Sequence, residues 1–157
     1  MKKHTHMMIA CVLMVLFTGK FKAQLSGVYN IPGDYATIGA AINDLNIFGV
    51  TGAVTVNIAA GHTETATVGG YTLNSIVGAS SINQVTFRKN GAGANPLITA
   101  YTGTATPASA VQDGVWRFLG TDFVTIDGVN ITDPNTANPA TMEFGYGFFK
   151  VGTIDGC

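Results

Sequence analysis

The chain has 157 residues, 46% of them hydrophobic and only 11% charged, with a formal net charge of −1. Its eight Lys and Arg residues gather into no stripe able to neutralise a run of phosphates, which disfavours nucleic-acid binding. The two cysteines, Cys11 and Cys157, are too few for a disulfide framework.

The first two dozen residues read as an export signal. Lys2 and Lys3 precede an unbroken apolar run from Met7 to Phe17, which Thr18 and Gly19 end; a polar stretch from Lys20 to Gln24 follows. A basic start, a short apolar run and a small residue such as Ala23 at the cut site are the parts of a secretory signal peptide. The run is too short to cross a bilayer, which takes about 20 apolar residues. Residues 1–24 are therefore expected to be a signal peptide cut after Ala23 or Gln24, leaving no membrane span. A rival reading, with Cys11 as a lipid acceptor, would leave most of the apolar run after the cut. Removal of the signal takes away Lys2, Lys3, Lys20 and Lys22 and leaves four basic against nine acidic residues, a net charge of −5. Cys157 is then the one remaining thiol, at the last position of the sequence. With a strand pattern just before it, this suggests a domain (residues 25–157) that is C-terminally truncated.

After the signal only one segment has a helical period. Ile38, Ala41, Ile42 and Leu45 fall on one face. Asp34 or Thr37 is placed to cap its start and Gly49 to end it. Gly39 weakens it by up to ~1 kcal/mol relative to Ala, so packing must hold it. Strand patterns follow in chain order: residues 54–58, 71–73, 84–88, 97–101 and 115–119. Residues 123–131 are bent at Asp127-Gly128, and residues 146–151 come last. Gly, Asn, Asp and Pro separate them as turn residues do. The predicted class is all-β.

A sandwich and a solenoid both fit many short strands. Two features favour the solenoid. Val54-Thr-Val-Asn, Val85-Thr-Phe-Arg and Val124-Thr-Ile-Asp are alike and recur at repeat-sized but unequal separations. The lone amphipathic helix ahead of them suits a cap over an otherwise open core.

Two sets of residues also carry a family resemblance. Tyr35-Ala-Thr-Ile-Gly-Ala-Ala-Ile-Asn-Asp-Leu45, followed by Val54-Thr-Val-Asn-Ile-Ala-Ala-Gly-His-Thr-Glu64, resembles the opening of pectin-lyase-like β-helix proteins, with His62 where a tyrosine is usual. The stretches Pro32–Tyr35, Gly61–Thr65, Gly91–Ile98, Gly120–Gly128 and Glu143–Tyr146 together resemble the N-terminal region of large exported Bacteroidota proteins that are type IX secretion substrates. The resemblance implies a right-handed parallel β-helix with an N-terminal capping α-helix, in a longer secreted or cell-surface protein.

No catalytic constellation stands out. His62 and Glu64 offer a metal ligand and a base, but lack the third protein ligand of a catalytic zinc site, and a polar turn is the plainer reading. His4 and His6 leave with the signal. Ser75, Ser80 and Ser81 have no histidine to pair with beyond His62, and Gly91-Ala-Gly-Ala-Asn95 fits neither a dinucleotide loop nor a P-loop. Among the acids, Asp113, Asp122, Asp127 and Asp133 are possible oxygen donors to calcium, with Asp122 and Asp127 the calcium-facing candidates; Asp-Gly pairs are also ordinary turn chemistry, which is the plainer reading. Trp116 is the candidate ligand-facing aromatic, against the reading that its alternation with Arg117 puts it in the core.

These readings lead to a non-enzymatic, adhesin-like scaffold, secreted or displayed at the cell surface, with extracellular polysaccharide or other surface components as partners. Two alternatives stay open: a polysaccharide lyase or esterase whose active site lies beyond this sequence, and a carbohydrate-binding module.

Overall fold

The computed structural model describes residues 23–101, 115–132 and 148–151, the last stretch by its backbone alone. Its elements are, in order, β1 (Leu25–Ile31), α1 (Ile38–Phe48), β2 (Val50–Ala59), β3 (Thr63–Thr65), β4 (Tyr71–Asn74) and β5 (Val85–Asn90). Then come β6 (Leu97–Thr99), β7 (Trp116–Leu119), β8 (Val124–Asp127), β9 (Asn130–Thr132) and β10 (Phe148–Val151).

The helix forms where the period placed it, because both ends are chemically defined. Thr37 is extended, and its hydroxyl accepts from the Ala40 amide at 3.1 Å, satisfying one of the donors a first turn leaves free. Gly49 ends the helix at φ +67, with its amide on the Leu45 carbonyl at 3.0 Å. Only glycine fits there, since an added Cβ would lie 2.4 Å from the Val77 carbonyl oxygen. Ile38, Ala41, Ile42 and Leu45 are buried as one face.

The strands form three sheets, ordered β1-β2-β5-β8, β4-β7-β10 and β3-β6-β9, with every neighbouring pair parallel. In the four-stranded sheet Val54, Val85 and Val124 are register partners, as are Val56, Phe87 and Ile126. These positions face the core, and side chains between them face outward, as the two-residue strand period requires. Trp116 joins the sheets at the centre of the core, with ring centroids 5.2 Å from Tyr71 and 5.5 Å from Phe87.

The expectation of a right-handed parallel β-helix with a capping helix is corrected by this arrangement. No continuous solenoid is seen in the described residues; they hold three small parallel sheets and one helix. The three Val-Thr strands do share a sheet, so their likeness reported pairing within that sheet. It carried nothing about the segments between them, which supply strands of three or four residues to two other small sheets. A first strand, β1, also escaped the sequence reading, because the register shift between Leu25 and Gly27 interrupts its alternation.

Two sheet edges are closed by side chains. The helix packs on β1 and β4, and its Asn46 meets the free edge of β4: Nδ2 donates to the Thr72 carbonyl at 2.8 Å and Oδ1 accepts from the Asn74 amide at 2.9 Å. On β1 the Asn30 amide donates to Asp34 Oδ2 at 2.8 Å, and the Asn30 carbonyl accepts from Tyr35 N at 3.2 Å. The Ser26 amide reaches the Tyr29 hydroxyl at 3.4 Å. Edges left bare are templates for further pairing, so these contacts blunt both.

Candidate functional site

The His62/Glu64 pair gains a definite geometry. Strand β3 turns Glu64 toward the start of α1, where its register partner in the neighbouring strand is the buried Ile98. A carboxylate replaces an aliphatic side chain there because it faces the amides of a helix N-terminus. Oε2 accepts from the Ile38 amide at 2.8 Å and lies 3.2 Å from His62 Nε2; Oε1 accepts from the Tyr71 hydroxyl at 2.7 Å and more weakly from the Gly39 amide at 3.4 Å. Burial raises the Tyr71 phenol well above the ordinary tyrosine range, and the bond to Glu64 and its charge add to the rise. Both carboxylate oxygens are thus engaged in fastening the helix to β3 and β4. They are not displayed toward a substrate.

The exposed feature with the most regular chemistry is the outer face of the four-stranded sheet. Parallel sheets are usually covered on both faces, and here one face alternates into polar side chains. Val28, Thr55, Thr86 and Thr125 are register partners in one row; Asn30, Asn57, Arg88 and Asp127 form the next. The second row is tied together. Asn57 Nδ2 donates to Asn30 Oδ1 at 3.3 Å, and Arg88 Nε donates to Asn57 Oδ1 at 3.0 Å. Asp34 continues the chain beyond Asn30, accepting from its side-chain amide at 3.2 Å. Such a ladder holds the Arg88 guanidinium in one orientation while the residue itself stays exposed.

The residues singled out from the sequence are scattered. Trp116 is fully buried at 0% exposure, so its rings belong to the core and present no face to a ligand. Asp122 and Asp127 are both exposed, the first in the turn before β8 and the second at its end, opposite Arg88. Among the described residues no group of three or more His, Cys, Asp or Glu side chains is placed to hold a metal ion. Asp113, Asp133 and Cys157 lie outside the described residues, as do residues 1–22, most of the segment expected to be a signal. Ser80 serves a turn, its hydroxyl accepting from Asn83 N at 3.1 Å, and the Gly91–Asn95 stretch links β5 to β6. No helix among the described residues is long and apolar enough to cross a membrane.

Phe123 is the residue that sequence reasoning missed. It is the one aromatic among the exposed large apolar side chains of the described residues, at 46% exposure, and it directly precedes β8. Its φ of +59 is in the left-handed region, and it is the one non-glycine residue found there among those described. Nothing in the sequence signals this, since positive φ is a habit of Gly, Asn and Asp. Comparison with family models, with curated proteins and with solved structures finds no match to this chain.

Proposed function

We propose that the protein is a non-enzymatic binding scaffold of adhesin-like character, exported through residues 1–24 and acting outside the cell or at its surface, with polysaccharide or other surface components as partners. The observation that carries this reading is the outer face of the four-stranded sheet. The row of Thr55, Thr86 and Thr125 offers hydroxyls at the strand spacing of about 4.8 Å, and the neighbouring row, tied together through the buried Asn57, adds one oriented guanidinium. Such a face makes many weak contacts along an extended partner. The acid of the His62–Glu64 pair supports the same reading, because its oxygens hold the helix.

The test is a pull-down of the purified chain with cell-envelope preparations and insoluble polysaccharides, followed by analysis of the supernatant for released sugars. Retention on the solid phase with no product release is expected. Release of oligosaccharide at an enzymatic rate would overturn the reading in favour of a lyase or esterase.

A further inference from the structure

Phe123 stands out because two unfavourable features of its side chain coincide there. A bulky side chain at positive φ is a backbone outlier, and an aromatic ring left 46% exposed forgoes burial. Strained backbone of this kind concentrates where a side chain must be presented to a ligand. The local frame is firm. The Phe123 carbonyl accepts from the Val85 amide at 2.9 Å, just as the Gln84 carbonyl accepts from Val54 N at 2.9 Å. Phe123 therefore sits at the head of the sheet just before β8, level with Gln84 and one register step from the row that holds Thr125 and Thr86.

We propose that Phe123 is a stacking platform for one sugar ring of an uncharged polysaccharide that runs obliquely from it onto the row of Thr125, Thr86 and Thr55, whose hydroxyls bond the sugars beyond it. This rests on the scaffold reading above and names its ligand and its site. Three observations point to this occupant. The apolar faces of pyranose rings stack on aromatic side chains, and their hydroxyls pair with threonine hydroxyls, which both donate and accept. One threonine per strand repeats about every 4.8 Å, close to the length of a single pyranose unit. The neighbouring row sets the Arg88 guanidinium between Asp127, its register partner, and Asp34 at the end of the ladder. A polyanion would meet two carboxylates for one guanidinium, so the face favours a polymer without charge.

The experiment measures binding of the full chain to a soluble neutral glucan, a neutral mannan and polygalacturonate, alongside thermal unfolding. Phe123→Ala and Phe123→Gly are each expected to weaken neutral-polymer binding by about tenfold or more, while Phe123→Trp keeps it. Phe123→Gly is the decisive variant, because glycine accepts positive φ freely and the unfolding midpoint should hold or rise as binding falls. A merely structural Phe123 would give the opposite pair of results. Replacing Thr55, Thr86 and Thr125 together by Val, which preserves shape, should also weaken binding; the same change at Thr65, Thr99 and Thr132 of the other sheet should not.

Wild-type affinity in Phe123→Gly overturns the proposal, as does preferential, salt-sensitive binding of polygalacturonate. Retention on envelope material by a protein rather than a glycan overturns it and leaves the scaffold reading standing. Binding to nothing in either preparation overturns both.

Discussion

Asn46 and Thr72 are joined as neighbouring strands would be: the Asn46 side-chain amide donates to the Thr72 carbonyl at 2.8 Å while its oxygen accepts from Asn74 N at 2.9 Å. One side chain from a helix thus takes the place of a missing strand on the edge of β4. Asn46→Leu should leave both backbone groups without partners at about 1–3 kcal/mol. For a chain of this size that lowers the unfolding midpoint by about 2–4 °C per kcal/mol, measurable by circular dichroism. An unchanged midpoint would mean that water replaces the amide without loss.

Glu64 should prove structural in the same manner. Glu64→Ala removes the acceptor of the Ile38 amide and of the Tyr71 hydroxyl, and the loss of bonds to a charged group is expected to cost about 2–3 kcal/mol. Glu64→Gln keeps an acceptor and should cost less. Urea unfolding midpoints for the two variants check the order; equal, negligible effects would remove Glu64 from the account of how the helix is held.

Alkaline pH should weaken the fold through two phenols. Tyr71 is raised first by burial and then by Glu64; Tyr35 is raised first by burial, then by the charge of Asp44 and the bond to it. A group whose folded-state pKa lies above its unfolded value stabilises fully below the unfolded value, near 10 for tyrosine, and that contribution is lost as pH rises beyond it. Stability should therefore decline above about pH 10. Tyrosinate absorbance in the native protein should report two late-titrating phenols, and Tyr71→Phe should flatten the decline.

Trp116 should behave as a core residue. Its fluorescence is expected to be blue-shifted and insensitive to polar quenchers and to added glycan. Trp116→Ala should destabilise by about 3–5 kcal/mol through the cavity it leaves beside Tyr71 and Phe87. Quenching by glycan would contradict its placement.

How much of this could be read in the sequence depends on the range of the interaction. Local rules sufficed for α1, where Thr37, the Ile38/Ala41/Ile42/Leu45 face and Gly49 lie within a dozen positions. Alternation in residues 54–58 and 85–88 likewise marked which side chains turn inward, and the likeness of these segments showed up as register between Val54 and Val85. Beyond that the signal ran out. The solenoid, expected from the repeated Val-Thr strands, the lone helix and the family resemblance, is not what these residues form, and three small sheets stand in its place. The links that hold the helix, Glu64 to Ile38 and Asn46 to Thr72, span 26 residues each and leave no periodic trace. Phe123 was invisible for another reason: its conformation runs against its own preference, so the sequence pointed elsewhere, to Trp116.

The contacts along β1 also bear on self-association. A chain that grows by head-to-tail stacking must offer a bare strand at each end, one to receive and one to add. With Tyr29, Asp34 and Tyr35 engaging the Ser26 amide and the Asn30 amide and carbonyl, those outward-facing groups of β1 are withheld from an incoming strand. The same few hydrogen bonds that finish one strand thereby make it a poorer template for a second copy.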